Sequence, residues 1–421
     1  CKQREDEKME LLQLAAEAKR ASYALAVLGT SKKNEALCRM ADALLVHTEE
    51  ILAENRRDLK AAAAAGHGKA FLDRLTLTEA RVREMADGLR HVAGLPDPVG
   101  GADSVTKRPN GLSIEKRRVP LGVVGIIFEA RPNVTVDAIG LTLKSGNACI
   151  LRGGKEALHT NLCLKRILAD YAYKNSVPEG AIQLLEDTSR ETAQKMMRLN
   201  GYLDVLIPRG GAGLIRSVVQ NASVPVIETG AGVCHTYIDE AADLFMAVNI
   251  AENAKCSRPS VCNACETVLV HERVAEAFLP MLAERLAAYP VELRCCERAR
   301  AILPQANAAT EEDWTTEYDD YILSIKVVDS LDEAIAHINR CGTHHSEAIV
   351  TESYNAAERF LDCVDAAAVY VNASTRFTDG GEFGFGAEIG ISTQKLHARG
   401  PMGLHELTTV KYVIRGSGQI R

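Results

Sequence analysis

The fold is decided by residues 120–157, which read PLGVVGIIFEARPNVTVDAIGLTLKSGNACILRGGKEA. The apolar run at 121–128 is short, continuous and rich in β-branched residues, which is typical of a strand covered on both faces. A helical pattern follows at 136–144, and a second short apolar run follows at 148–151. Because strands that alternate with helices form parallel sheets covered by helices, the sequence predicts an α/β fold.

The alternation continues toward the C-terminus in two blocks. In the first block we predict helices at 158–173, 190–199 and 211–221, and strands at 182–185, 204–207 and 224–227. In the second block, after Gly232, we predict helices at 241–255, 274–289 and 331–340, and strands at 266–271, 324–328, 347–350 and 368–371. Residues 295–320 are irregular and polar, and we interpret them as a surface excursion. The first hundred residues carry helical stripes of apolar side chains, which indicate core packing.

Length and composition restrict the class of protein. The chain has 421 residues, enough for two large domains, with 47% hydrophobic and 25% charged residues, as in soluble globular proteins. The net charge of −7, without a basic block, argues against nucleic acid as a partner. No apolar run is long enough to span a membrane, so we predict no membrane partner.

The cellular compartment is predicted from the N-terminus and the cysteines. Residues 1–9 are polar and highly charged, unlike a secretory signal. Met9 opens the first helical pattern, so we interpret the eight residues before it as an extension. Twelve cysteines in 421 residues are too few for a disulfide framework and indicate reduced thiols. We therefore expect a cytoplasmic protein.

The segment FEARPN at 128–133 directly follows a predicted buried strand. In parallel sheets, ligands bind at the carboxyl ends of the strands. Pro132 stiffens the turn, and the side-chain amide of Asn133 offers a hydrogen-bond donor. Alternatively, Asn133 only caps the following helix.

Two segments combine glycines with basic residues at predicted strand ends: RGGK at 152–155 and PRGGAG at 208–213. Such turns suit phosphate groups, because the backbone can approach closely. Neither segment matches the G-x-G-x-x-G fingerprint or a P-loop. Each could equally be an ordinary turn.

Three cysteines lie between a predicted helix and a predicted strand, in AKCSRPSVCNAC at 254–265. A zinc site would need a second ligand pair, and only the adjacent Cys295 and Cys296 follow. A thioredoxin-like redox pair is expected elsewhere, at a helix start after an early strand. Cys256 and Cys265 are best interpreted as small buried hydrophobic residues, whereas Cys262 is a candidate nucleophile. We predict no metal.

Residues 120–157 resemble the cofactor domain of the aldehyde dehydrogenase superfamily. Three stretches resemble more narrowly its acyl-phosphate reductases of proline biosynthesis. These are NAKCSRPSVCNACETVLVH at 253–271, VYVNASTRFTDGGEFGFG at 369–386 and STQKLHARGPMG at 392–403. The resemblance extends from about Met9 to the C-terminus, and it implies a Rossmann-like cofactor domain, an α/β catalytic domain and a small β arm.

The resemblance implies a role for individual positions. Cys262 falls on the catalytic cysteine of the family, and Asn133 on the asparagine that shares the oxyanion hole with the backbone N–H of that cysteine. A larger set is implied in cofactor binding: Arg152 near the adenosine ribose, with Gly153 and Lys155 in the same turn; Arg209, Gly210 and Gly211 near the pyrophosphate or 2′-phosphate; and Glu317 at the nicotinamide ribose. The pattern around Glu317 departs from that of the family.

The implied reaction is the NADPH-dependent reduction of L-glutamate 5-phosphate to L-glutamate 5-semialdehyde and phosphate, through a Cys262 thioester. The substrate is anionic, and the cations within family motifs are Arg131, Arg258, Arg376 and His397; each could instead form a structural salt bridge. Glu228 aligns with the general base of hydrolytic aldehyde dehydrogenases. The alternative function is therefore a hydrolytic, NAD(P)-dependent aldehyde dehydrogenase that uses Glu228.

The same resemblance implies the domain organisation. We predict a cofactor-binding domain at 1–103 and 120–232, and a catalytic domain at 233–400. The β-rich segment TTVKYVI at 408–414 is expected to pair with the polar stretch 104–119. Residues 104–119 and 401–421 would then form an oligomerisation arm, as expected of a homodimer or larger assembly. A glutamate 5-kinase is a possible channelling partner.

Overall fold

The structure, a computed structural model, describes residues 2–129 and 131–421, apart from the side chains of residues 2–8 and 70. The chain divides into two compact units. The first comprises the chain up to Glu228 together with Gly384–Gly390 and Met402–Arg421, and the second comprises Thr229–Phe383 and Ile391–Pro401. This division lies within a few residues of the predicted domain boundary after 232, and the strands of the predicted arm belong to the first unit.

The first unit begins with helices and continues as alternating strands and helices. The helices are α1 (Lys2–Leu25), α2 (Thr30–Val46), α3 (Thr48–Ala64), α4 (Lys69–Leu75), α5 (Glu79–Gly94), α6 (Pro132–Lys144), α7 (Leu158–Tyr173), α8 (Arg190–Met196) and α9 (Ala212–Asn221). The strands are β1 (Ala102–Lys107), β2 (Ser113–Pro120), β3 (Val123–Phe128), β4 (Ala148–Arg152), β5 (Ile182–Leu184) and β6 (Val205–Arg209). Helix α1 thus starts at Lys2, before the predicted start at Met9; Cys1 lies outside the described residues.

A parallel sheet of order β5-β4-β3-β6 forms the centre of the first unit. Every residue of β3 is buried, as the apolar run at 121–128 predicts. The strand predicted at 224–227 is wrong, because only an isolated bridge joins Val226 to Leu206. Pro225 has no N–H to donate, so a regular ladder cannot continue through this segment.

The start of α7 is fixed by a buried carboxylate. Asp58 accepts hydrogen bonds from the backbone N–H groups of His159, at 3.2 Å, and Thr160, at 2.8 Å. The hydroxyl of Thr160 donates to the same carboxylate at 2.6 Å. A negative charge here also interacts favourably with the helix dipole. Asp58 therefore holds in place the helix that follows the RGGK turn.

The second unit is a parallel sheet of order β10-β9-β11-β8-β7-β12-β13 with helices around it. The strands of this sheet are β7 (Cys234–Ile238), β8 (Cys265–His271), β9 (Glu292–Cys295), β10 (Asn307–Ala308), β11 (Ile322–Val328), β12 (Ser346–Val350) and β13 (Ala368–Val371). Two further strands of the unit, β14 (Ile391–Ser392) and β15 (Gly400–Pro401), pair with each other. Its helices are α10 (Leu244–Cys256), α11 (Glu272–Leu286), α12 (Glu297–Ile302), α13 (Leu331–Cys341) and α14 (Tyr354–Cys363).

The interpretation of residues 295–320 as a surface excursion is wrong. Cys295 ends β9 within the sheet, and α12 follows directly. Ala299, Leu303 and Trp314 are buried in this segment. Single apolar residues placed among charged ones, as in CCERARAIL, show too little periodicity to reveal the buried face.

The last strand, β16 (Thr408–Arg415), returns to the first unit and pairs with β2 over its full length. An antiparallel sheet of order β1-β2-β16 results, with β1 exposed along its whole length. The predicted pairing of these two segments is confirmed, whereas their role in oligomerisation stays a prediction. Across the described residues, we find no helix with the length and apolar character needed to span a membrane.

Candidate active site

The three cysteines of the segment 254–265 differ in accessibility. Cys262 is partly exposed in the turn between α10 and β8, whereas Cys256 and Cys265 are buried. Burial raises the pKa of Cys256 to about 11 and that of Cys265 to about 12, so both stay protonated at neutral pH. No disulfide joins the described cysteines, nor do described His, Cys, Asp and Glu side chains form a metal-binding group of three.

The turn that carries Cys262 is held by its neighbour Asn263. The Asn263 amide donates to the carbonyls of Arg376, at 3.2 Å, and Thr378, at 2.9 Å. In return the backbone carbonyl of Asn263 accepts a hydrogen bond from the Thr375 hydroxyl at 2.7 Å. A short 3₁₀ turn at Thr375–Phe377 presents these groups. Asn263, absent from the predicted site, is therefore a positioning residue for the nucleophile turn.

Arg376, predicted as a substrate ligand, holds the same turn from its other side. Its guanidinium donates to the side-chain oxygen of Asn263 and, through Nε, to the Ser257 hydroxyl at 3.1 Å. Burial and the like charge of Arg258 lower the pKa of Arg376, while the negative charge of a Cys262 thiolate opposes this shift. Arg376 thus supports the loop and lies close enough to Cys262 for their charges to interact.

Gly232 touches the backbone of the nucleophile. A Cβ atom at this position would lie 1.4 Å from the carbonyl oxygen of Cys262. The same carbonyl accepts a hydrogen bond from the buried Cys234 thiol at 3.2 Å. In the sequence, Gly232 marks only a boundary between α/β blocks, and the signal of its role is its place in the glycine-rich stretch ETGAG at 228–232. Glycine is required here because no side chain fits.

Glu317, predicted to bind the nicotinamide ribose, accepts the backbone N–H of Gly232 at 2.7 Å. Burial raises the pKa of Glu317, and the Gly232 N–H and the charge of Lys255 oppose that shift. One carboxylate oxygen therefore supports the chain beside Cys262. The other oxygen accepts no hydrogen bond from the residues that the structure describes. It is therefore available for the predicted contact with the nicotinamide ribose.

A buried ion pair lies at the end of α10, where the chain enters the nucleophile turn. Lys255 Nζ and Glu266 Oε2 are 2.6 Å apart, and neither side chain is exposed. The ammonium group also lies 5.8 Å from the centre of the Tyr318 ring. Burial raises the pKa of Glu266 and Lys255 opposes that shift, while the second oxygen of Glu266 has no partner among the described residues. Removal of Lys255 would leave this carboxyl group unpaired.

We expect Lys255→Met to lower the free energy of unfolding by about 3–5 kcal/mol, because it leaves a buried acid without its counter-charge. Urea denaturation followed by circular dichroism measures this change. The double variant Lys255→Met/Glu266→Leu removes both charges and should recover most of the loss. The exposed pair Arg359–Asp332 provides the control: Arg359→Met should change stability by less than about 1 kcal/mol. Equal losses in the two single variants would contradict the importance of the buried pair.

In the first unit, Arg152 is partly engaged by a neighbouring loop. Its guanidinium donates to the carbonyls of Thr188 and Ser189, and burial lowers its pKa. Gly153 is required for packing, because a Cβ there would lie 2.5 Å from the side-chain nitrogen of Asn161. Lys155, in contrast, is exposed, and within the described residues no carboxylate pairs with it. Lys155 is therefore the more available cation of the RGGK turn.

The Arg209–Gly211 turn holds a carboxylate that was absent from the predicted site. The N–H of Gly211, at the start of α9, donates to Glu129 Oε2 at 3.1 Å. The Glu129 side chain also packs against Gly210, where a Cβ would lie 2.6 Å from its carboxyl carbon. The signal was present in the FEARPN motif, of which Glu129 is the second residue. A phosphate bound at this turn would have to displace or adjoin Glu129.

Asn133 is the second residue of α6, and its side-chain nitrogen donates to Asp137 Oδ2 at 3.2 Å. The alternative in which Asn133 caps the helix is wrong, because Arg131 occupies the cap position. Asp137 keeps an exposed edge, yet the atoms around it limit its hydration and raise its pKa to about 6; the Asn133 hydrogen bond and the charge of Arg209 oppose this rise.

The remaining predicted residues lie at accessible positions. Arg131 and Glu228 belong to the first unit, where Arg131 is exposed and Glu228 is half-buried. Arg258 and His397 are exposed in the second unit, and His397 has a φ of 66°, a left-handed conformation that is uncommon for a side-chain-bearing residue. The second unit thus brings together Cys262, Arg376 and Glu317 through shared contacts.

Comparisons with known proteins agree over nearly the whole chain. The model of the aldehyde dehydrogenase family matches residues 2–313 and 314–413. A protein named gamma-glutamyl phosphate reductase from Moorella thermoacetica is 64% identical, over 96% of this chain and 97% of that protein. One of the same name from Clostridium perfringens is 61% identical, over 98% and 99%.

A solved structure supports the same assignment. The crystal structure of gamma-glutamyl phosphate reductase from Thermotoga maritima is 49% identical to this chain and superposes with a TM-score of 0.96. The match covers 98% of this chain and 100% of the Thermotoga maritima chain. The predicted α/β fold of the aldehyde dehydrogenase type is confirmed. The chain belongs to the aldehyde dehydrogenase family, within its gamma-glutamyl phosphate reductase branch.

Proposed function

We propose that this chain reduces L-glutamate 5-phosphate to L-glutamate 5-semialdehyde, with release of phosphate, through a thioester on Cys262. The observation that carries the proposal is 64% identity to a gamma-glutamyl phosphate reductase over 96% of the chain. The name of that relative describes an acyl-phosphate substrate and a reduction. The partly exposed Cys262, between two cysteines that burial keeps protonated, supplies a fitting nucleophile.

In the first step, the Cys262 thiolate attacks the acyl carbon of the substrate. An S–C bond forms, the C–O bond to phosphate breaks, and phosphate leaves with the electron pair of that bond. Only the thiolate is an effective nucleophile, and a nearby positive charge favours it. Arg376 provides such a charge, because the interaction that Cys262 exerts on it is mutual.

Both tetrahedral intermediates place negative charge on the former carbonyl oxygen. We assign the stabilisation of this oxyanion to the Asn133 side-chain amide and the Cys262 backbone N–H. The amide has two hydrogens, and one of them bonds Asp137, so the other can be donated. A donor aimed at an oxyanion typically accelerates the reaction by about 10²–10³-fold.

The first unit fits a nicotinamide cofactor by its donor set. Arg152, Lys155 and Arg209 lie at the carboxyl edge of one parallel sheet, where cofactor phosphates bind. The buried Nε of Arg152 has no partner among the described residues, which leaves a donor available there. We infer NADPH, since these cations could meet a 2′-phosphate. When bound, NADPH supplies the hydride that reduces the thioester, and the resulting thiohemiacetal releases the aldehyde and the Cys262 thiolate.

The reductase proposal gives Glu228 no essential role, because phosphate rather than water is the second partner of the acyl group. A hydrolytic enzyme would use Glu228 to activate water. The expected result is that oxidation of glutamate 5-semialdehyde with NADP depends fully on inorganic phosphate and saturates with it. The absorbance of the reduced cofactor measures this rate.

Two outcomes would decide against the proposal. Turnover at the same rate without phosphate would assign the chain to the hydrolytic class. In that class Glu228→Gln would also abolish activity, whereas in the reductase it should leave the phosphate-dependent rate within a few-fold of wild type. The control is an enzyme-free reaction with phosphate, which excludes direct chemistry between the aldehyde and NADP.

The two anionic groups of the substrate require positively charged side chains. We assign the binding of the phosphate and α-carboxylate of the substrate to the cations Arg131, Arg258, Arg376 and His397.

We further propose that the β1-β2-β16 sheet mediates a homodimer or larger assembly, since β1 offers an exposed edge. We also propose, as a partner, a glutamate 5-kinase that hands over the labile acyl phosphate.

A further inference from the structure

The proposed substrate carries one charge that the residues discussed so far leave unmatched. L-glutamate 5-phosphate has two anionic groups, which the proposed cations can bind, and one α-ammonium group. An ammonium group that leaves water needs a carboxylate or several carbonyl oxygens as partners. A carboxylate must therefore recognise this group if the enzyme is to distinguish an amino acid from a simple acyl phosphate.

The geometry points to Asp137 as the binding site for the α-ammonium group of the substrate. This inference rests on the proposed function, because it concerns the same substrate. Asp137 and Asn133 are four residues apart in α6, so their side chains lie on one face of the helix. Their hydrogen bond, 3.2 Å long, places the carboxylate beside the amide that we assign to the oxyanion.

Asp137 also has the capacity to accept a ligand. Its side chain is exposed, and its carboxylate receives one hydrogen bond, at Oδ2, from the residues that the structure describes. The charge of Arg209 acts on Asp137, but no hydrogen bond joins these two side chains within that part of the chain. Oδ1 therefore remains available to accept a charge-assisted hydrogen bond from an ammonium group.

The neighbouring carboxylates have other contacts. Glu129 accepts the Gly211 N–H at one oxygen and packs against Gly210, within the turn that we assign to the cofactor. Asp187 accepts hydrogen bonds from Ser189 and Thr192. Asp137, like Glu129, keeps one carboxylate oxygen without a described hydrogen bond. What distinguishes Asp137 is its place one helical turn from Asn133 and its hydrogen bond to that residue, whereas Glu129 lies at the turn that we assign to the cofactor. A position beside the proposed oxyanion donor suits a substrate whose ammonium group is only a few bonds from its acyl carbon.

The test compares two aldehydes in the phosphate-dependent oxidation: glutamate 5-semialdehyde and 5-oxopentanoate, which lacks the amino group. Asp137→Asn keeps the shape of the side chain and can still accept the Asn133 hydrogen bond. We expect it to lower kcat/KM for glutamate 5-semialdehyde by roughly 10- to 100-fold, the usual effect of losing a charged hydrogen bond. For 5-oxopentanoate, kcat/KM should change by less than about threefold. Asp137→Glu, which restores the charge, should recover part of the discrimination.

Other outcomes have distinct meanings. If Asp137 only orients Asn133, both aldehydes lose activity by the same factor, mainly in kcat, and the inference is overturned. Unchanged kcat/KM for both aldehydes also overturns it. Asp170→Asn, at an exposed carboxylate on α7, is the matched control and should leave both substrates unaffected. If the unmodified enzyme shows no phosphate-dependent turnover of either aldehyde, the proposed function fails instead.

Discussion

Cys262→Ala is expected to abolish reduction, with a loss of roughly 10⁴-fold or more, because no other group can carry the acyl intermediate. Cys256 and Cys265 cannot substitute for it, since burial holds their pKa values near 11 and 12 and excludes the substrate. The measurement is the phosphate-dependent rate of NADPH formation. Binding of NADPH, followed by its fluorescence, should persist, since the predicted cofactor ligands lie elsewhere in the sequence.

A matched cysteine separates the loss of the nucleophile from the loss of a thiol. Cys363, at the end of α14 in the same unit, is exposed. Cys363→Ala should therefore retain normal activity. Mass spectrometry of the wild type, incubated with the acyl phosphate and no cofactor, should detect an adduct on Cys262 that hydroxylamine removes. Full activity of Cys262→Ala, or an adduct on another cysteine, would exclude the proposed mechanism.

Gly232→Ala should have the second largest effect, although it adds a single methyl group. The new Cβ would overlap the Cys262 carbonyl oxygen, at 1.4 Å, so the nucleophile turn must move. A misplacement of about 1 Å typically costs about 10²-fold in rate. We expect kcat to fall by at least that factor, and overpacking to lower the free energy of unfolding by about 1–3 kcal/mol. Steady-state kinetics and urea denaturation measure the two effects.

Gly88→Ala serves as the control for Gly232→Ala. Gly88 lies within α5, and a Cβ there meets nothing within 4 Å. Because alanine favours a helix more than glycine, this variant should be more stable by about 1 kcal/mol and fully active. If Gly232→Ala also keeps full activity, the contact between Gly232 and Cys262 does not position the nucleophile.

Local sequence patterns were sufficient for much of the fold. Hydrophobic periodicity predicted α7 and β13 with their observed bounds, and the β-rich 408–414 segment predicted the pairing of β16 with β2. Strand β7, CHTYI, was not predicted because polar side chains obscure its apolar pattern. His235 is buried there only because Glu347, on the adjacent strand β12, accepts its hydrogen bonds at 2.7 and 3.0 Å. That pairing is not visible in the strand itself.

The sequence by itself determined the family, the α/β alternation and the choice of Cys262 among twelve cysteines, because long motifs and periodicity are local properties of the chain. Only the tertiary structure decided the surroundings of Cys262. Gly232 precedes β7 and Cys262 precedes β8, and their contact arises because these two strands are neighbours in the sheet. The hydrogen bonds that the Gly232 N–H donates to Glu317 and the Gly211 N–H donates to Glu129 join residues more than eighty positions apart. Hydrophobic periodicity along the chain does not encode such contacts, because sheet order and register bring these residues together.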